Sequence, residues 1–305
     1  LTFQLEILGN NAALPALNRH QTAQLLRLES QYILIDCGEG TQRQLAKQNI
    51  RPGRIQTVLI SHLHGDHYFG LIALISSMHL LQRRSRLTIV APPMLEEIIK
   101  LQLRASGTSL GFELVFVPLW HHRCRTMLRG EDFYVEAFPL DHGISCYGFR
   151  ISEFPGKQRI NKDCLPDDMQ LEDILQLKEG KDVLNQDGSI KYSVKHHTLP
   201  PNPPRSYAYC SDTRYLEEVI PYIHGVDMLY HEATFSDDMK DKAVLTGHST
   251  ATEAATIAMM ANVGKLVLGH FSTRFKDPEP LLLEARKVFQ ESYLSFEGQT
   301  IALNQ

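Results

Sequence analysis

The sequence predicts an α/β fold, and two observations carry that reading. Short runs rich in β-branched and aromatic residues recur along the 305-residue chain and alternate with longer stretches of helical periodicity. Several of the strand-like runs end in His or Asp. In open α/β sheets, functional groups gather beyond the strand ends.

Taken in order, the opening LTFQLEIL alternates like a strand. YILID (32–36), TVLIS (57–61), LTIVA (87–91), LVFVPL (114–119), FYVEAFPL (133–140), SYAYC (206–210) and KLVLGH (265–270) read as further strands, several of them apolar enough to be buried on both faces. Helical stretches fall at 70–82, 93–104, 213–223, 249–262 and 279–290. Ser249 or Thr250, with Glu253 three residues after Thr250, makes a capped start for the fourth of these. From 153 to 204 the composition shifts to Lys, Asp, Pro and Gly, with an amphipathic stretch near 168–178 and the cluster LPPNPP at 199–204. Loops beyond about 15 residues are uncommon unless functional. The segment therefore reads as an arm inserted into one domain spanning 1–305, a long structured crossover being the alternative. No internal repeat is present.

Hydrophobic residues at 43% and charged residues at 22% lie near the average for globular proteins, which excludes a disordered chain. A net charge of −4 excludes a globally basic nucleic-acid-binding domain, so any RNA contact must be local. Arg83, Arg84 and Arg86, then Arg123, Arg125 and Arg129, then Lys157, Arg159 and Lys162 form candidate patches, with solvated surface charge as the equal alternative. Five cysteines without a C-x-x-C pair argue against a disulfide framework or a thiolate zinc finger. With no signal-like start and no apolar run of membrane-spanning length, the expectation is a soluble, cytoplasmic protein with no membrane partner.

The chemistry concentrates after TVLIS, where His62-Leu63-His64-Gly65-Asp66-His67 sets three imidazoles and a carboxylate within six positions. Imidazole nitrogen and carboxylate oxygen suit zinc and similar divalent cations, and alternation lets His62 and His64 face one metal while Asp66 and His67 face a neighbour. Asp141-His142 ends FYVEAFPL, Asp212 follows SYAYC, and His270 closes KLVLGH. Taken singly, Asp212 fits a turn and His270 a buried structural histidine, but their shared placement at strand ends favours ligands.

H-L-H-G-D-H resembles the signature of the metallo-β-lactamase superfamily, whose fold is a four-layer αββα sandwich. The resemblance implies two zinc ions, one held by His62, His64 and His142, the other by Asp66, His67 and His270, with Asp212 bridging them. It also implies Asp66 as proton acceptor. Within the superfamily, Tyr230-His231-Glu232-Ala233-Thr234-Phe235 followed by Gly247-His248-Ser249-Thr250 resembles ribonuclease Z, as do LEILGNNAALP and LIDCGEGTQRQL (34–45). That likeness implies that Glu232 orients a catalytic His248, while His231 reads as structural. The arm, with Lys157 and Arg159 and then Lys178 and Lys181, resembles the family's flexible tRNA-binding exosite. The implied activity is a zinc-dependent endoribonuclease, working as a homodimer, that trims the 3′ trailer from precursor tRNA. A phosphodiesterase or sulfatase acting on small substrates is the alternative, since the metal ligands alone do not choose a substrate.

Overall fold

A computed structural model describes residues 2–14, 16, 19–29, 31–120 and 123–303. Contacts divide them into two compact units, one running to Ser152 and resuming at Ser206, the other Glu153–Arg205.

The larger unit holds two seven-stranded sheets among the described residues. In the first, β1 (Phe3–Gly9), β2 (Ala23–Leu28), β3 (Tyr32–Ile35), β4 (Ile55–Leu59), β5 (Leu87–Ala91) and β6 (Leu114–Pro118) lie side by side in chain order, with β18 (Thr300–Ala302) outside β1. In the second, β7 (Arg125–Arg129), β8 (Phe133–Leu140), β9 (Cys146–Glu153), β14 (Ser206–Cys210), β15 (Met228–Glu232), β16 (Leu266–Gly269) and β17 (Ser292–Leu294) follow one another. β3 to β6 pair in parallel, as do β14 to β17.

Both faces of each sheet are covered, which is why the strands read as continuous apolar runs. In β3, Ile33 and Ile35 point into a core shared with Phe149, Tyr207 and Tyr230 of the second sheet, whereas Leu34 packs outward. That outer face is closed by α1 (Thr41–Lys47), α3 (Leu71–Leu80) and α4 (Met94–Ala105) through Leu45, Leu74, Ile75 and Leu95. The far face of the second sheet packs on α9 (Ala251–Met260) and α10 (Glu279–Arg286) through Ala254, Ala258, Leu281 and Ala285. The layers run helix, sheet, sheet, helix. The short helices α2 (Gly65–Tyr68), α7 (Ile220–Ile223) and α8 (Lys240–Thr246) lie in the connections between strands.

Thr250 is the N-cap of α9, its hydroxyl accepting from the Glu253 N–H while Glu253 accepts from the Thr250 N–H. One segment differs from the sequence reading, and one that it left unassigned is a strand. Residues 213–223 hold only a 3-10 turn at Glu217–Val219 and α7, because the Thr213 N–H donates to Glu232 Oε1 (2.9 Å) and its carbonyl accepts from Ser249 Oγ (2.7 Å), drawing the backbone out of a helical path. AQLLRL (23–28), whose residues favour a helix, is instead the strand β2, paired antiparallel to β1 on one side and β3 on the other.

The unit Glu153–Arg205 begins where the sheet lets it out: Ser152 and Ser206 are cross-strand partners on β9 and β14. At its base Arg205 grips Glu153 with Nε on Oε2 (2.9 Å) and a terminal nitrogen on Oε1 (2.5 Å), the fork geometry that makes such pairs strong. The unit contains β10 (Arg159–Ile160) paired with β13 (Thr198–Leu199), β11 (Val183–Leu184) paired with β12 (Ile190–Tyr192), and helices α5 (Leu171–Lys178) and α6 (Val194–His197). Leu177, Val183 and Tyr192 make its small core.

Candidate metal centre

Every proposed ligand follows the C-terminal end of a strand or lies in the short helix just beyond one. His62 and His64 follow β4, Asp66 and His67 sit in α2, His142 follows β8, Asp212 follows β14 and His270 follows β16. The folded chain brings them into two touching groups, His62, His64, His142 and Asp212 in one and Asp66, His67 and His270 in the other.

Asp212 stands between the groups. Its Oδ2 lies 3.7 Å from His62 Nε2 and 3.9 Å from His142 Nε2, while its Oδ1 lies 3.4 Å from His67 Nε2 and 3.2 Å from His270 Nε2. Asp66 Oδ2 closes the second group, 3.4 Å from His67 Nε2 and 3.7 Å from His270 Nε2. His67 Nε2 and His270 Nε2 are buried with no hydrogen-bond partner among the described residues. A buried polar atom without a partner costs roughly 1–3 kcal/mol, and imidazole nitrogens converging on carboxylates are the donor set a divalent cation takes. The residues fit a pair of such ions. Burial, then the charge of neighbouring imidazoles, pulls His62 and His64 below the usual histidine range, toward the neutral form that ligates. Burial opposes charge on Asp66 too, but His67 and its other imidazole neighbour outweigh it and hold the carboxyl ionised.

The opposite ring nitrogens are tied down. His62 Nδ1 meets Ser61 Oγ (3.0 Å), His67 Nδ1 meets Asp36 Oδ2 (2.8 Å), His142 Nδ1 meets the Gly247 carbonyl (2.7 Å) and His270 Nδ1 meets Thr234 Oγ1 (2.9 Å). Such outer bonds fix tautomer and ring angle, leaving Nε2 for the centre. Gly247 sits at φ 75, and a Cβ there would stand 2.9 Å from His142 Nδ1, so both the backbone and the close approach call for glycine.

Asp36, absent from the sequence reading, proves central to this support. Fully buried after β3, it accepts from the Ser61 N–H (2.8 Å), Ser61 Oγ (2.9 Å), Tyr209 O–H (2.6 Å) and His67. The strand-end rule that found Asp212 would have found it in YILID. Asp36 (φ 55) and His270 (φ 57) both hold left-handed backbone, an uncommon state for non-glycine residues that here turns the chain sharply out of the sheet.

Beside the second group, buried Glu232 ends β15 and receives the Thr213 N–H, the Thr234 N–H (3.2 Å), the Thr234 O–H (2.6 Å) and His248 Nδ1 (2.9 Å). Burial lowers the His248 pKa, but Glu232 more than offsets this by charge and hydrogen bond, and the imidazole is pushed up to about 9. His248 borders a cavity of about 260 Å³ that is also lined by Lys242, Ser272 and Arg274. His231 is buried with Nδ1 on the Glu232 carbonyl (2.8 Å), a structural arrangement.

The remaining sequence candidates lie elsewhere. Lys157, Arg159, Lys178 and Lys181 belong to the unit Glu153–Arg205, where Lys157 pairs with Glu179 and Arg159 Nε donates to the Pro200 carbonyl (2.9 Å). Arg83 is no surface cation: it is buried and donates to the carbonyls of Ser85 (2.7 Å) and Arg86 (2.8 Å), so the first arginine patch is partly structural.

The chain is 45% identical to Ribonuclease Z of Cytophaga hutchinsonii over 300 residues, covering 98% of this chain and 96% of that protein. It belongs to the ribonuclease Z family. The Bacteroides fragilis Ribonuclease Z is 38% identical and covers 99% of both chains. The crystal structure of human tRNase Z, short form, superposes with a TM-score of 0.74 at 27% identity, covering 99% of this chain and 100% of that one, and the fold is that of the metallo-β-lactamases. The family model for Anti-Pycsar protein Apyc1 also matches, over residues 3–201, a span that includes His62–His67 and His142 but stops before Asp212, Glu232, His248 and His270. Metal dependence is typical of the ribonuclease Z family. No helix among the described residues is long and apolar enough to cross a membrane.

Proposed function

We propose that the chain is an endoribonuclease that removes the 3′ trailer from precursor tRNA, leaving a 3′-hydroxyl on the tRNA and a 5′-phosphate on the trailer, and that it does so with two zinc ions. The substrate rests on the 45% identity to a Ribonuclease Z over 98% of the chain, and the observation that supports two ions is Asp212, whose two oxygens are divided between two imidazole groups. His62, His64 and His142 would hold one ion, and Asp66, His67 and His270 the other. When bound, such a pair lowers the pKa of water and neutralises charge on the scissile phosphate.

The rest of the mechanism belongs to the side chains. His248, held through Nδ1 by Glu232, keeps Nε2 as its remaining donor, and a proton at that atom passes to the 3′-oxygen as its bond to phosphorus breaks. Glu232 fixes the ring and favours its protonated form. Asp66, anchored by the Ala13 N–H (2.9 Å), takes the proton of the attacking water. In the arm, Lys157, Arg159, Lys178 and Lys181 contact tRNA phosphates, which carry position rather than sequence. Eight basic and nine acidic residues share Glu153–Arg205, so recognition there rests on local placement and not on net charge. We further assign a homodimer, the arm of one subunit presenting tRNA to the partner's centre, and a cytoplasmic location, the latter supported by five free cysteines.

The test is to incubate zinc-loaded protein with a precursor tRNA bearing a 3′ trailer and to map the cut by its end chemistry, with Asp66→Ala as control. Cleavage near the discriminator base, lost in the control, supports the reading. Absence of cleavage despite two bound metals and turnover of a small phosphodiester refutes it. Sedimentation of the intact protein tests the dimer.

A further inference from the structure

On the side of the centre bounded by the loops that carry His64 and His142 lies a groove of about 490 Å³. Its described lining includes Leu63, Met94, Trp120, Ile144 and Tyr147 and contains no charged side chain. Trp120 is the only tryptophan in the chain, yet 63% of it is exposed, with Met94 (55%) and Ile144 (40%) exposed beside it. Large apolar side chains gathered at one exposed spot mark a binding surface more often than chance.

The platform is built in register with the metal ligands. The Leu119 N–H donates to the Ala91 carbonyl (2.9 Å) and the Leu119 carbonyl accepts from the Tyr147 O–H (3.1 Å), so the backbone leading into Trp120 is fixed on both sides. The Tyr147 N–H in turn donates to the Ser61 carbonyl (3.1 Å), one residue before His62. An exposed aromatic on pinned backbone loses little freedom when a flat partner lands on it.

We propose that Trp120 is the stacking platform for the first unpaired base of the RNA trailer, a role that rests on the endoribonuclease reading above. The apolar side chains that line the groove suit the flat face of a base. Single-stranded bases, splayed out and stacked on aromatic faces, are the usual target of such a surface. The side of the cut follows from His248. The 3′-oxygen it protonates belongs to the tRNA body, so the nucleotide bearing that oxygen occupies the cavity of Lys242 and Arg274. That cavity shares no described lining residue with the Trp120 groove. The groove is left for the nucleotide across the scissile bond.

The single tryptophan gives a direct readout. A 5′-phosphorylated RNA oligonucleotide of trailer sequence should quench the emission of the intact zinc-loaded protein saturably, and the same oligonucleotide with an abasic first position should not. Trp120→Ala should lower kcat/KM on precursor tRNA roughly tenfold, with Trp120→Phe recovering most of the loss. On a precursor abasic at the first trailer position the wild type and Trp120→Ala should converge. Cleavage by the wild type with no quenching, or an equal loss in Trp120→Ala on both substrates, overturns the platform while leaving the endoribonuclease intact. Absence of any cleavage by the wild type overturns both.

Discussion

Replacing Glu232 by glutamine keeps its shape and removes its charge, and the surroundings decide what the amide does. All four of its contacts come from donors: the Thr213 N–H and His248 on Oε1, the Thr234 N–H and O–H on Oε2. An amide NH2 must therefore face a donor. It does least harm on the Oε2 side, where the Thr234 hydroxyl can turn and accept. The Thr234 N–H then stands opposed, at a cost of roughly 1–3 kcal/mol of stability. His248 keeps a neutral acceptor but loses its anionic one. A hydrogen bond to a charged group contributes about 1.5–3 kcal/mol against about 0.5–1.5 for a neutral one, and each 1.36 kcal/mol is tenfold in rate, so the loss of about 1–1.5 kcal/mol should slow single-turnover trailer cleavage roughly five- to tenfold. Zinc content should be unchanged, because Glu232 is not among the proposed ligands. If Glu232 works through His248, the double variant Glu232→Gln/His248→Ala should cut no more slowly than His248→Ala. Multiplicative losses in the double variant, or wild-type cleavage by Glu232→Gln, would refute the argument.

His64→Ala should lose metal and activity together, whereas His248→Ala should keep both metals by elemental analysis yet cut roughly a hundred- to ten-thousandfold more slowly; equal metal loss in the two removes the role given to His248. Asp36→Asn should weaken metal affinity about ten- to a hundredfold in a chelator competition, and unchanged affinity would mean that His67 orients itself. Excising Glu153–Arg205 and joining Ser152 to Ser206 by a tight turn should spare hydrolysis of a small phosphodiester and abolish action on precursor tRNA. The cross-strand pairing of Ser152 with Ser206 makes that closure short, and retained tRNA cleavage would free the arm of its assigned task.

The sequence reading succeeded where local chemistry and burial agree. LTIVA, FYVEAFPL and SYAYC fall on β5, β8 and β14 residue for residue, because their β-branched and aromatic residues suit a pleated, largely buried surface. The gathering of His62, His64, Asp66 and His67 in one place was legible because three imidazoles in six positions have few structural uses. Where tertiary partners override local preference, the letters mislead: 213–223 loses its first turn to Glu232 and Ser249. AQLLRL, left unassigned from the sequence, is a strand because two neighbours claim its hydrogen bonds. Asp36 escaped notice because it was counted as the last residue of the strand run YILID. Only the fold reveals that Ser61, His67 and Tyr209 converge on it.

That convergence makes metal supply a variable of folding. Asp36 is bonded to Ser61 beside the first sheet, to Tyr209 of the second and to a proposed metal ligand. A cation that binds only the folded chain stabilises it by about 2.7 kcal/mol at a hundred times its dissociation constant. Stability of the sandwich and occupancy of the centre therefore rise and fall together. In a cell short of metal, the shortage would reach the amount of intact protein through proteolysis as well as its turnover number, and precursor tRNA would accumulate for both reasons at once.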